Sequence, residues 1–235
     1  MKTTLFLTFA LVAMLATSAA FGLTPDTIVF SEDWESDVPD TLLNSTIQWT
    51  GDNNDYIVAA GNVAELWGNP LTSDWIWTKA NFGDGMNGQA LQLFHMEVNG
   101  AGVGSGNRTN LYVLDEGGNV WLRWYGDCVR LIPRHPDGVA PVDYGIAGAW
   151  HDLDIVYNSV TGQATWYGDG NFVWGANVGA GKYMTRVEMQ NQWANADDMT
   201  MLDNIMVGPV PEPSSLLALS VFGVGMIGYI KRRRA

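Results

Sequence analysis

Residues 151–174 read HDLDIVYNSVTGQATWYGDGNFVW. Leu153, Ile155 and Tyr157 alternate with Asp152 and Asp154. Successive side chains of an extended chain point to opposite faces, so this spacing predicts a strand with one apolar and one polar face. NSVTGQ then turns the chain, with Gly162 supplying a positive φ, and ATWY runs back antiparallel. Asp169-Gly170 makes a second tight turn before FVW. A meander of this kind must bury its apolar face against another layer.

The same pattern extends outward. In TRVEMQ, Thr185, Val187 and Met189 oppose Arg186, Glu188 and Gln190, and NLYVLDEGGNVWLRWYG (110–126) reads as a hairpin around Gly117-Gly118. Further strands are expected at 27–33, 90–98 and 199–207. Residues 42–79 are less regular and read as loops with one or two strands. About ten short strands with polar outer faces predict an all-β chain of two antiparallel sheets packed face to face.

The chain has 235 residues and a net charge of −13. Charge is uneven. Residues 23–208 hold seven Lys and Arg against 24 Asp and Glu, a balance of −17. Nucleic-acid binding requires a basic footprint, so the body is read as having no nucleic-acid partner. A single cysteine, Cys128, rules out an internal disulfide and is expected as a buried thiol. Eleven tryptophans supply the core instead.

Both ends are apolar. MKTTLFLTFALVAMLATSAAFG has the charged, apolar and small-residue regions of a secretory signal peptide, predicted over 1–22 with cleavage after Ala20 or Gly22. The body spans 23–208, and a spacer, 209–215, follows. An uncharged stretch, 216–230, is expected as a transmembrane helix, although at about 1.5 Å per residue it falls short of a ~30 Å bilayer core. Residues 231–235 form a basic end, and Lys231, Arg232, Arg233 and Arg234 should remain cytoplasmic.

Pro211 and Pro213 hold Glu212 in an extended segment, suited to binding by a processing enzyme. Pro-Glu-Pro, a short apolar helix and an Arg-rich end over 210–235 resemble the PEP-CTERM sorting signal of Gram-negative bacteria. The resemblance implies recognition by an exosortase after signal peptidase action. It also implies an inner-membrane intermediate, then delivery to the cell surface or the extracellular matrix with its exopolysaccharide. In the body, IVFSEDWESD, GAWHDLDIVYNSVTGQATWYGDG and MLDNIMVG resemble the concanavalin-like jelly roll of LamG-type domains.

Candidate chemistry is sparse. Glu35, Asp37 and Asp40 approximate the E-x-D-x-x-E signature of jelly-roll glucanases, but Pro39 interrupts the strand that would align them. The resemblance implies a structural Ca²⁺ near the first and last strands, at Asp33 and Asp203. His95, His135 and His151 lack metal spacing. The glycine-rich GAGVGSGN lacks the phosphate-loop ending, and Ser105 within it has no nucleophile context. Sugar binding needs flat aromatic faces beside hydrogen-bonding groups. Trp75 and Trp77 share one side of SDWIWTK, and Trp121, Arg123 and Tyr125 share one side of VWLRWYG. The expected function is a non-catalytic surface or matrix protein with carbohydrate affinity. The alternatives are a polysaccharide-processing enzyme on the same fold and a purely structural protein.

Overall fold

The computed structural model describes residues 27–34, 41–42, 49–52, 57–59, 63–67, 75–102, 108–192 and 199–210. The expected signal peptide, Pro-Glu-Pro motif, transmembrane helix and basic end lie outside them. Among the described residues no helix is long and apolar enough to cross a membrane.

Seventeen strands occur among the described residues: β1 (Phe30–Glu32), β2 (Thr41–Leu42), β3 (Trp49–Asp52), β4 (Ile57–Ala59), β5 (Ala64–Trp67), β6 (Trp75–Asn81), β7 (Leu91–Ala101), β8 (Arg108–Leu114), β9 (Val120–Gly126), β10 (Arg130–His135), β11 (Gly138–Val139), β12 (Tyr144–Gly145), β13 (His151–Asn158), β14 (Gln163–Gly168), β15 (Asn171–Asn177), β16 (Arg186–Gln192) and β17 (Met199–Pro209). Sheet A runs β15-β14-β13-β7-β17-β5-β4-β2, with β1 also on β17; sheet B runs β11-β10-β9-β8-β16-β6-β3, with β12 on β10. All pairings between these strands are antiparallel. The two-sheet jelly-roll sandwich is as expected, with more strands than the ten anticipated. The excess lies in β10 to β12 and in 42–79, read as loops with one or two strands, where β2 to β5 are two to four residues long. Strands that short do not display an alternation that a sequence pattern can register.

The opening stretch folds as read. Leu153, Ile155 and Tyr157 are fully buried. Gly162 has φ 75°, and Asp169 and Gly170 have φ 48° and 71°, the paired positive values of a tight hairpin turn. In the other hairpin Gly118 has φ 73°. At the end of the body, β17 continues through Pro209, which pairs with Gln92, and the Val210 amide donates to the Leu91 carbonyl at 3.1 Å. The domain therefore runs two residues into the segment read as spacer. Proline is tolerated there because it ends the strand.

Aromatic rings fill the space between the sheets. Trp34, Trp49, Trp121, Trp124 and Trp166 are all at most 1% exposed. Trp34 and Trp49 stack at 6.3 Å, and Trp121 meets Tyr157 edge-on at 4.3 Å. Several polar groups in this layer are paired, while the indole nitrogens of Trp34, Trp121 and Trp124 are buried without a hydrogen-bond partner. Glu32 accepts from Trp49 Nε1 (3.0 Å) and from the Trp34 amide (3.1 Å), and Trp166 Nε1 donates to the Arg123 carbonyl across the sandwich (3.1 Å). Thr109 and Thr200 join the sheets at 3.0 Å. Cys128 is fully buried, as expected.

Gly100 of β7 permits a close approach between sheets. A Cβ there would lie 1.7 Å from the Cys128 carbonyl oxygen, whereas one on Gly145 would meet nothing within 4 Å. Gly100→Ala should lower the unfolding free energy by about 1–3 kcal/mol, and Gly145→Ala by less than about 0.5 kcal/mol. Urea unfolding followed by tryptophan fluorescence checks both.

Asp115 organises the β8–β9 turn. Its Oδ1 accepts from the Gly117 and Asn119 amides, and Lys182 Nζ lies 2.9 Å from its Oδ2. Burial raises its pKa, but the Lys182 and Asn119 hydrogen bonds outweigh burial and hold it below the ordinary value. The stabilisation is therefore complete above the unfolded carboxyl's pKa of about 3.9 and is lost as pH falls through the lowered folded value. The stability gap between wild type and Asp115→Asn should stay constant from pH 7 to about 5 and close below about 4. Urea midpoints measured across pH check this.

Candidate functional site

The outer face of sheet B gathers aromatic and hydrogen-bonding groups. Strand registry sets them in two rows. One row runs Lys79, Glu188, Tyr112, Arg123, Arg134 across β6, β16, β8, β9 and β10; the next runs Trp77, Gln190, Asn110, Tyr125, Ile132. Their chain neighbours Ala80, Val187, Met189, Leu111, Val113, Leu122, Trp124 and Leu131 fill the core, so alternation turns both rows outward. At about 4.8 Å per strand, Trp77 and Tyr125 stand about 14 Å apart with a polar strip between them.

That strip is connected. Tyr112 Oη donates to Glu188 Oε1 at 2.5 Å, Gln190 Nε2 donates to the same oxygen at 2.9 Å, and Asn110 Nδ2 donates to Gln190 Oε1 at 3.2 Å. Burial, then the bond to Glu188, raises the Tyr112 pKa above its ordinary value, so Tyr112 remains a donor at physiological pH. Asn110 Oδ1 is buried without a partner. Cations lie against the rings: Lys79 Nζ is 4.7 Å from the Trp77 centroid, and Arg123 and Arg134 are 5.6 and 5.3 Å from that of Tyr125.

Of the four aromatic residues expected to bind carbohydrate, Trp77 and Tyr125 stand on this face, half-buried. Trp75 lies in β6 at the Gln192 position of the register. Trp121 does not belong here. The β8–β9 register shifts between Val113 and Leu114, so Leu114 faces Val120 and Trp121 is the extra residue. That bulge breaks the alternation and sends the Trp121 ring into the core against Tyr157. The sequence reading missed Tyr112, Asn110, Glu188 and Gln190. The period-2 pattern of β8 and β16 already held the signal; the pairing of the two strands did not show in it.

The outer face of sheet A has different chemistry. His95, read as without metal spacing, lies with Glu97 and Asp152, and one ligand atom from each falls within 4.8 Å of the others. His95 Nδ1 is 2.8 Å from Asp154 Oδ1, which leaves Nε2 as the nitrogen free for another partner. Burial lowers the His95 pKa, but the hydrogen bond and charge of Asp154, with Asp152 and Glu97 beyond, raise it overall. One imidazole and two carboxylates could hold a metal ion, and that donor set suits Zn²⁺ better than Ca²⁺. Asp33 and Asp203, the pair expected for calcium, border this group. Asp33 follows β1, and Asp203 pairs with Glu97 beside a bulge where Asn204 has φ 47° and donates to Glu97 Oε1 at 2.8 Å. His135 stacks on Trp174, and His151 contacts Asp169 at 2.9 Å. Glu35, Asp37, Asp40 and Ser105 lie outside the described residues.

Residues 209–235 match the PEP-CTERM protein-sorting motif. The chain carries an exosortase sorting signal. Pro211, Glu212, Pro213 and the basic run Lys231–Arg234 fall within the match, which marks an exported protein. No curated protein sequence matches the chain. Among solved structures, the body is similar to a sialidase (TM-score 0.56, 11% identity, 79% of this chain) and spans 19% of that protein's length. It is also similar to the cellulose-induced protein Cip1 (TM-score 0.53, 14% identity, 76% of this chain and 96% of that one). A Bacillus licheniformis β-glucanase is a third (TM-score 0.51, 10% identity, 77% and 98%). At these identities the likeness is one of fold, a concanavalin-like jelly roll.

The division between core and surface aromatics has a direct measure. Trp121→Ala should cost about 3–5 kcal/mol of stability, and Tyr125→Ala less than about 1 kcal/mol. Urea titration of the two variants decides whether the bulge assigns Trp121 to the core.

Proposed function

We propose that this exported protein acts at the cell surface or in the extracellular matrix as a non-catalytic polysaccharide-binding protein, with the outer face of sheet B as its sugar-binding surface. The observation that carries this reading is the pair Trp77 and Tyr125 flanking the connected strip of Asn110, Gln190, Glu188 and Tyr112. Aromatic faces bind the apolar faces of sugar rings, and amide, carboxylate and phenol groups bind hydroxyls. Retaining and inverting glycoside hydrolysis both need two carboxyl groups about the scissile bond. Among the described residues of the central strands β16, β8 and β9, Glu188 is the one carboxylate. Glu188 is also engaged twice as an acceptor, a state suited to orienting a network.

Sorting and binding are separable. Reversing Lys231–Arg234 to Glu should block surface delivery, read by immunoblotting of cell fractions, while the purified variant retains sugar binding. On a glycan array the wild type should retain polysaccharide, and Tyr125→Ala and Trp77→Ala should each weaken retention roughly tenfold, in the range of one lost ring contact. No array binding by the folded wild type would overturn the reading. So would released reducing sugar that disappears in Glu188→Gln, in favour of an enzyme.

A further inference from the structure

The two sheets carry opposite charge. Among the described residues, the strands of sheet A hold six carboxylates, Glu32, Glu65, Glu97, Asp152, Asp154 and Asp203, and no Lys or Arg. The strands of sheet B hold six cations, Lys79, Arg108, Arg123, Arg130, Arg134 and Arg186, against two carboxylates, Asp52 and Glu188. Those six are all but one of the Lys and Arg residues in 23–208; the seventh, Lys182, is spent on Asp115. Each of the six alternates with a residue buried between the sheets, such as Ala80, Thr109, Leu122, Leu131 or Val187, so all six project from the outer face. A body with a balance of −17 thus concentrates its few positive charges on one surface.

The arrangement is costly in the absence of an anion. Arg123 and Arg134 are direct cross-strand partners, and like charges in that position repel. Arg130 is paired with Asp143 at 2.8 Å, yet no ion pair among the described residues involves Arg123 or Arg134. Arg123 Nε is buried without a hydrogen-bond partner. Burial, and then the charge of Arg134, pull the Arg123 pKa below its ordinary value. Two neighbouring guanidinium groups, 5.6 and 5.3 Å from the Tyr125 ring centroid, match a planar anion presented next to a sugar ring.

We infer that the outer face of sheet B, centred on Arg123, Tyr125 and Arg134, binds an acidic polysaccharide whose sugars carry carboxylates. This rests on the sugar-binding reading of the same face and adds the charge of the ligand. A uronate chain supplies one carboxylate per sugar for the guanidinium forks and leaves ring faces for Trp77 and Tyr125. Its charges repel the acidic sheet A, which fixes the face that docks.

Isothermal titration of the purified full chain tests this, with EDTA present to prevent calcium bridging and about 0.15 M salt to screen distant charges. The probes are polygalacturonate, the same polymer fully methyl-esterified, and oligo-dT. Polygalacturonate should bind, esterification should weaken binding at least roughly tenfold, and added salt should weaken the acid form alone. Arg134→Gln should reproduce the loss on the acid polymer and weaken binding of the ester far less. Lys79→Gln, farther along the face, should cost less, and Glu65→Gln on sheet A should change nothing. Circular dichroism confirms that each variant is folded. Equal affinity for acid and ester would overturn the charge inference and leave the sugar-binding reading standing. No affinity for either polymer, or for any neutral glycan, would overturn both. Oligo-dT binding as tight as polygalacturonate binding would reassign the face to nucleic acid and overturn the inference.

Discussion

Burial of an aromatic layer between two sheets is the constraint from which the rest follows. The chain has one cysteine and its described body has no helix, so neither a disulfide nor a helical layer can cover the sheets. The five tryptophans at the interface each remove a large apolar area from water. They also impose a pattern: most alternate residues on the central strands are apolar and face inward, with Thr78, Thr109, Asn191 and Thr200 as buried polar members. Charge is then excluded from the interior unless it is satisfied, as Glu32 is by Trp49 and the Trp34 amide. All remaining charge must go outward, and the outer faces become the only places where chemistry can differ between the sheets.

Local pairing was legible in the sequence and distant pairing was not. The β13–β14–β15 meander and the β8–β9 hairpin follow from alternation plus Gly162, Asp169-Gly170 and Gly118, because each turn joins its own strands. No such signal exists for β13 with β7 or β7 with β17, whose partners lie tens to more than a hundred residues apart. The His95–Asp154 pair depends on that register. His95-x-Glu97 and Asp152-x-Asp154 each show two polar residues on one face; that the two faces coincide is a property of the assembled sheet. Trp121 marks a different limit. Alternation assigned it to the outside, and a one-residue bulge reversed it. A bulge adds no distinctive residue here, so a pattern of period 2 does not reveal it.

The charge division between the sheets belongs to the same class of information. Read linearly, the six cations are scattered from residue 79 to 186 through an acidic chain and suggest nothing but solubility. Topology brings their strands, β6, β8, β9, β10 and β16, into one sheet, while the strands of the other carry acids and no cations. The overall net charge therefore does not describe each face. Net charge describes long-range repulsion, which salt screens over about 8–10 Å; a contact surface is governed by the charges on it.

The point where the described chain ends fits this division of faces. The described chain leaves the sandwich through Pro209 and Val210, beside Gln92 and Leu91, at the end where the Met184 amide of the segment before β16 donates to the Gln92 side chain. The Thr109–Thr200 contact marks the opposite end. Asn110 and Tyr125 lie one residue from that far end, and Leu114 bounds the near one, about 13 Å away at ~3.3 Å per residue. The chain thus leaves from a central strand of the acidic sheet, while Trp77, Tyr125 and the basic groups lie on the other sheet. Antiparallel pairing within each sheet and the Thr109–Thr200 contact between them fix where β17 ends relative to the outward rows of sheet B.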